Sequence, residues 1–326
     1  MRAVLINTPG GPEQLYLGEV APPQPGPADL LVRVAATAVN RADTLQRQGK
    51  YPVPPGESDI LGLEIAGEVA AVGAEVSRWQ VGDRVCGLLG GGGHAEYVCM
   101  HQDLALPLPG EMSYAEAAAI PEVFLTAFQA LIWLGELQPG ERVLIHAGAS
   151  GVGTAAIQIA REKGAEVLVT ASQPKHALCL DLGASVAIDY RNDDFAKAVR
   201  KATEEMGVDV ILDFVAAPYF QANLDLLQTD GRLVMLALLG GTRPEAVNLG
   251  PILRKRLQVI GSTLRSRSLA YKIRLSQALH TFAWPRFQSG QMRPIIDRVL
   301  PWTEIVAAHQ AMEANENAGK IVLTID

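Results

Sequence analysis

The sequence predicts an α/β protein, a doubly wound parallel sheet accompanied by a second, mostly β lobe, and three observations carry that prediction. Between residues 123 and 263 apolar strand patterns alternate with helical ones, the rhythm of a parallel sheet covered by helices. One of these strands runs straight into a glycine-rich turn, Gly148-Ala-Ser-Gly-Val-Gly153, at the head of an alanine-rich helical pattern. Residues 1–122, in contrast, read as short β segments broken by proline and glycine.

In chain order, the first region offers strands at 30–34, 65–72 and 84–86, with turn-rich stretches at 22–27 and 90–93. The second offers strands at 143–146, 167–170, 186–189, 208–214, 232–238 and 258–262. Within it, Val234-Met-Leu-Ala-Leu-Leu239 suits pairing across a sheet edge between subunits, although pairing inside one chain predicts the same run. The last region, 264–326, is mixed: 265–288 looks helical, and 320–325 looks like a closing strand that completes the first lobe. The expected division is therefore a lobe at 1–122, a sheet domain at 123–263 and a returning segment at 264–326. A chain of 326 residues with 48% hydrophobic content fills two cores of this size.

The glycine-rich turn is built to hold a pyrophosphate. Its glycines allow a tight turn and close backbone approach, and the first N–H groups of the following helix, at Gly151, Val152 and Gly153, face an anion. This makes the sheet domain a Rossmann-type dinucleotide site. Ser150 stands where G-x-G-x-x-G has its middle glycine, and two roles are open to its hydroxyl: a hydrogen bond to phosphate, or a cap on the helix. The next strand ends at Thr170-Ala-Ser172 and continues Gln173-Pro-Lys175, without the acidic residue that binds ribose hydroxyls in NAD-selective sites. Ser172 and Lys175 favour the 2′-phosphate of NADP(H) instead.

Composition excludes several classes. Residues 1–6 are too short an apolar run for a signal peptide, and 123–137 falls short of a bilayer span. Three widely spaced cysteines, Cys86, Cys99 and Cys179, suggest packed thiols in a reducing, cytoplasmic setting. A basic cluster at Arg254, Lys255, Arg256, Arg265 and Arg267 raises the alternative of a nucleic-acid binder, but a net charge of −7 gives a poor field for one.

The motifs Ala38-Val-Asn-Arg-Ala-Asp43, Leu61-Gly-Leu-Glu-Ile-Ala-Gly67, Val81-Gly-Asp-Arg-Val85, Ala117-Ala-Ala-Ile-Pro121, Leu125-Thr-Ala-Phe-Gln-Ala-Leu131, the Ser150 loop and Ala318-Gly-Lys-Ile-Val-Leu323 span essentially the whole chain. Through them the sequence resembles the zinc-independent quinone oxidoreductases of the medium-chain dehydrogenase/reductase superfamily. Asn40-Arg-Ala-Asp43, Gln46-Arg-Gln-Gly49 with Tyr51, and Leu264-Arg-Ser-Arg267 are most similar to its tumour-suppressor-inducible NADPH:quinone reductase branch. The resemblance implies a GroES-like first lobe, a Rossmann second domain, NADPH in a cleft between them, and homodimers formed largely through sheet edges.

It also implies site residues. Asn40, Tyr51 and Thr126 would wall the acceptor slot; Tyr190 would reach the 2′-phosphate, and Val215 the ribose or adenine side. Residues 237–241, Leu238 among them, would line the nicotinamide half, with Thr263 and Leu264 offering backbone groups, and Lys320 would join the cofactor set. Ala216-Ala217 replaces the Gly-Gly common in relatives. Where the zinc enzymes of the superfamily carry Cys and His ligands, this chain has Asn40 and Leu63, beside a retained Glu64, and no Cys₄ knuckle. Without those ligands a quinone is the expected acceptor, since it takes hydride without strong acid catalysis when well positioned. A reductase of enones or alkenals is the alternative, needing a proton for carbon, for which Tyr51 is the obvious donor.

Overall fold

The computed structural model describes residues 1–326. Strands β1 (Arg2–Ile6), β2 (Leu15–Glu19), β3 (Asp29–Val39), β4 (Glu64–Val72), β5 (Arg84–Leu88), β6 (Tyr97–His101) and β7 (Ala105–Pro107) come first. They are followed by β8 (Arg142–Ile145), β9 (Glu166–Ala171), β10 (Val186–Asp189), β11 (Val208–Asp213), β12 (Leu227–Met235) and β13 (Gln258–Gly261). Last come β14 (Ile296–Pro301) and β15 (Lys320–Thr324). The chain divides into two compact units, one of Met1–Leu125 with Leu264–Asp326 and the other of Thr126–Thr263.

The first unit is built around β3, whose alternate side chains Leu30, Val32, Val34, Ala36 and Ala38 are buried. Its sheet has the order β14-β15-β3-β4-β5-β7, with β6 also pairing with β3. β15 lies antiparallel to β3 over Ala36 to Val39, so the last strand of the sequence completes the first lobe. Behind the sheet, Trp302, Ile305, Ala308 and Met312 pack on Val4, Val32 and Ile65 in one core. The helix expected at 265–288 begins at Leu269, because Ser268 caps it by accepting the Tyr271 N–H.

The second unit is a six-stranded, wholly parallel sheet of order β10-β9-β8-β11-β12-β13. Val143, Leu144 and Ile145 of central β8 are fully buried, as expected of a strand with helices on both faces. The chain moves outward from β8 to β10, returns to place β11 on the other side of β8, and so makes a topological switch point at the carboxyl end of β8. One expectation is corrected. The run 234–239 is not an edge: Val234 pairs with Leu212 on one side and Ile260 on the other, and the strand ends at Met235. The sheet edges are β10 and β13.

Candidate active site

In the second unit, Ser150 starts the helix Gly151–Glu162. Its Oγ accepts the Gly153 N–H at 3.1 Å and its carbonyl accepts the Thr154 N–H at 2.8 Å. A helix start leaves four N–H groups without intrahelical partners; here Ser150 N–H goes to the Ala147 carbonyl and Gly153 N–H to the Ser150 hydroxyl, so Gly151 and Val152 are left to meet an anion at the positive end of a 12-residue helix. The helix-cap role is therefore observed. It leaves the hydroxyl hydrogen free in principle for a phosphate oxygen, because only a lone pair is used in capping. Gly153 is required by close approach: a Cβ there would lie 2.4 Å from the Ala147 carbonyl oxygen. The turn thus fits a pyrophosphate.

Lys175 follows β9 in a short turn, its N–H bonded to the carbonyl of buried Ser172 at 2.9 Å. Tyr190 follows the neighbouring β10 and is 41% exposed. The two strands pair with Asp189 opposite Ala171, which brings the residues after them to one end of the sheet. Arg191, not foreseen from sequence, adds a second cation there, its guanidinium 5.9 Å from the Tyr190 ring centre. The carboxylate of Asp189 is turned to its own loop, accepting from Arg191 N–H and Asn192 Nδ2. No acidic residue occupies the end of β9.

The loops after β11 and β12 are laced together by Leu239 N–H to Phe214 O, Gly240 N–H to Val215 O and Ala217 N–H to Gly241 O. Val215 and Leu238 therefore lie on joined loops, with Leu238 half exposed. The Asp213 carboxylate accepts the N–H groups of Val215 and Ala216 and fixes the turn. Ala216 has φ +68°, a conformation that favours glycine. Beneath these loops runs a buried chain that sequence reasoning missed. Thr170 Oγ1 meets His146 Nδ1 at 3.1 Å, His146 Nε2 donates to Asn223 Oδ1 at 2.9 Å, and Asn223 Nδ2 donates to Asp213 Oδ2 at 3.2 Å. It joins the ends of β8, β9 and β11, and burial holds the His146 imidazole below its ordinary pKa.

The first unit holds a second polar cluster. Glu64 is fully buried, and its Oε1 accepts from Asn40 Nδ2 at 2.9 Å and from Lys320 Nζ at 2.7 Å, while its Oε2 accepts the Glu122 N–H at 2.8 Å. Lys320 Nζ also donates to Asn40 Oδ1 and to Val39 O, so its three hydrogens all have acceptors. Asn40 gives its other amide hydrogen to Ala38 O at 3.3 Å. The donors of both residues are thus engaged within the chain. Asn40 and Lys320 are bound to each other and to Glu64, and neither has a donor left for cofactor or substrate. The pairing joins β15 to the start of β4 and the end of β3, an arrangement hidden from local sequence reading.

Tyr51 is half-buried on a loop, its ring centre 5.4 Å from the guanidinium carbon of Arg265. Burial, then the nearby Glu122, raise the Tyr51 pKa while Arg265 opposes them, so the hydroxyl stays protonated through the neutral range. Thr126 is partly buried near the carboxyl end of the helix Pro121–Phe128. The Thr263 carbonyl accepts from Gln129 Nε2 at 3.4 Å, and Leu264 is buried. No group of three or more His, Cys, Asp and Glu side chains is placed to hold a metal ion. No helix is long and apolar enough to cross a membrane.

A parallel sheet with an anion-binding turn at its switch point, together with a separate mostly β lobe, is the architecture of the nicotinamide-dependent oxidoreductases. Residues 151–283 match the zinc-binding dehydrogenase family and residues 26–110 the alcohol dehydrogenase GroES-like domain. The chain is 33% identical to a quinone oxidoreductase of Lama guanicoe, covering 100% of this chain and 98% of that one. Among solved structures it is similar to an NAD-dependent alcohol dehydrogenase (31% identity, both chains fully covered, TM-score 0.89) and to the CurK enoyl reductase (31%, 100% and 99% covered, TM-score 0.88). It is also similar to the Escherichia coli quinone oxidoreductase complexed with NADPH (29%, 99% and 100% covered, TM-score 0.89). The chain belongs to the medium-chain dehydrogenase/reductase superfamily, with quinone oxidoreductase homologues along its full length.

Proposed function

We propose that the protein is an NADPH:quinone reductase. The observation that carries this reading is the Asn40–Glu64–Lys320 cluster: where zinc relatives place a metal, this chain has a closed internal ion pair. With no metal ligands to polarise an alcohol oxygen, the acceptor must itself be electron-poor. When bound, the dinucleotide would supply hydride from its dihydronicotinamide. Gly151 and Val152 N–H groups would meet its pyrophosphate, and Lys175, with Tyr190 and Arg191 beside it, would meet the 2′-phosphate. The asparagine and lysine of the cluster act indirectly, by fixing the first lobe's backbone. Tyr51 would donate a hydrogen bond to the acceptor oxygen, since its phenol remains protonated near neutrality.

The likeness to quinone oxidoreductases along the full chain supports a quinone, and the likeness to an enoyl reductase favours a second reading, reduction of an enone. The two are separated by kcat/KM for a para-quinone, an ortho-quinone and an α,β-unsaturated ketone with one enzyme preparation. The quinone reading expects a quinone to lead, and a leading ketone replaces it. We place the enzyme in the cytoplasm as a homodimer. The unpaired outer edge of β13, with Val259 40% exposed and Leu253 83% exposed nearby, supports a subunit contact at that edge.

A further inference from the structure

We infer that Arg265 is the binding group for the acceptor oxygen that becomes negative on reduction, at a site roofed by the Tyr51 ring. The inference rests on the reading of the protein as a reductase of conjugated carbonyls, and it holds for a quinone or an enone. Arg265 is 6% exposed, and its Nε donates to the Gly90 carbonyl at 2.7 Å. That bond fixes the plane of the guanidinium. Both terminal nitrogens, Nη1 and Nη2, are buried without any hydrogen-bond partner. A guanidinium carries five donors, and buried donors are nearly always satisfied. Four N–H bonds directed at nothing in the chain therefore point to an acceptor brought from outside.

The surrounding carboxylates do not fill that role. Asp43 accepts the N–H groups of Asn40 and Gly62, and Glu57 pairs with Lys272 at 3.6 Å. Asp43, Glu57 and Asp59 act on Arg265 only through their fields, as does Tyr51. The Tyr51 ring stands over the guanidinium at 5.4 Å, a stacking distance for a flat partner. Tyr51 opens an irregular stretch with Pro52, Pro54, Pro55 and Gly56, which is largely exposed and has neither helix nor strand before β4. Movement of this stretch admits an acceptor oxygen to the terminal nitrogens of Arg265, with Tyr51 remaining beside it.

The chemistry balances at this position. A bound dihydronicotinamide would supply hydride, two electrons and one hydrogen nucleus, and would itself be oxidised; the π pair of the conjugated acceptor would then move onto its carbonyl oxygen. The oxygen, now a phenolate or enolate, meets two charge-assisted N–H donors until it takes a proton from solvent.

The test uses the full chain without cofactor and 4-nitrophenol as probe, with nitrobenzene as the neutral control. Titrating bound 4-nitrophenol by its phenolate absorbance reads the preference for the charged oxygen directly. The expected result is a bound pKa lowered by about one unit, a roughly tenfold preference for phenolate over phenol. Arg265→Met abolishes the shift and Arg265→Lys retains part of it. No binding, an unshifted pKa in the wild-type protein, or an equal shift in Arg265→Met would overturn the assignment. If Arg265→Met does not fold, the wild-type titration and Arg265→Lys decide, with an Arg265→Lys shift equal to wild type counting against the planar two-donor site. Phenolate preference without quinone or enone turnover would leave the site standing and remove the reductase reading alone.

Discussion

Lys175 and Lys320 show how differently one residue type is used. Lys175 follows the end of a strand, and its proposed partner is the 2′-phosphate of the cofactor; Lys320 is enclosed by three acceptors of the chain itself. A lysine–phosphate contact is worth about 1.5–3 kcal/mol. Lys175→Ala should therefore weaken NADPH binding about 10- to 100-fold and leave NADH binding nearly unchanged, as read by fluorescence titration. For Lys320 the expected loss is of stability. Lys320→Met leaves the Glu64 carboxylate, fully buried, without its ion partner, and should destabilise the protein by about 3–5 kcal/mol in urea unfolding. Lys320→Met with Glu64→Gln should cost less than the two single changes added together. The place of Lys175 just after a strand was legible because it depends only on an apolar run and the turn that follows it. The Asn40–Lys320 contact spans 280 positions and had no local signal.

At the level of elements, the strands of the parallel sheet were legible nearly to the residue, since a buried strand needs a continuous apolar run with polar breaks. β12 was the exception. Its run continues apolar to Leu239, yet the chain leaves the sheet after Met235 so that Leu239 and Gly240 bond the loop after β11. An apolar loop looks like a strand in sequence. The same pair of loops yields a prediction with an unusual sign. Ala216 holds φ +68° because Asp213 grips its N–H, a conformation costing an L-residue about 1–2 kcal/mol. Glycine relieves that strain but loses about 0.4–1 kcal/mol to the freedom of the unfolded chain. Ala216→Gly should thus leave Tm unchanged or raise it by a few degrees; a clear fall would mean that the Ala216 methyl group packs more than the backbone suffers.

Across the whole molecule, the three fully buried histidines share one electrostatic fate. His94, His146 and His309 are each held below the ordinary imidazole pKa, burial being the largest cause in every case. In the unfolded chain they titrate near pH 6.5. Above that value both states are neutral and pH has no leverage. Below it the unfolded state takes up protons that the folded state refuses, so stability falls as pH falls, by about 1.4 kcal/mol per pH unit for each histidine. Tm measured from about pH 7.5 down to about pH 5, above the carboxylate range, should decline steadily below about pH 6.5; a flat profile would show that these rings become charged inside the fold. Their burial was not legible, because a histidine after a strand, in a glycine run or on a helix gives no sign of what other segments place around it.

In the proposed reaction a metal-free site passes hydride from NADPH to a conjugated acceptor. Its most direct test is the loss of dihydronicotinamide absorbance with a para-quinone, using NADPH and NADH in parallel, before and after exhaustive treatment with a strong chelator. The account predicts quinone-dependent turnover that prefers NADPH and is unchanged by the chelator. Turnover abolished by the chelator and restored by zinc would contradict it, because the Asn40–Glu64–Lys320 cluster would then have to open to bind a metal.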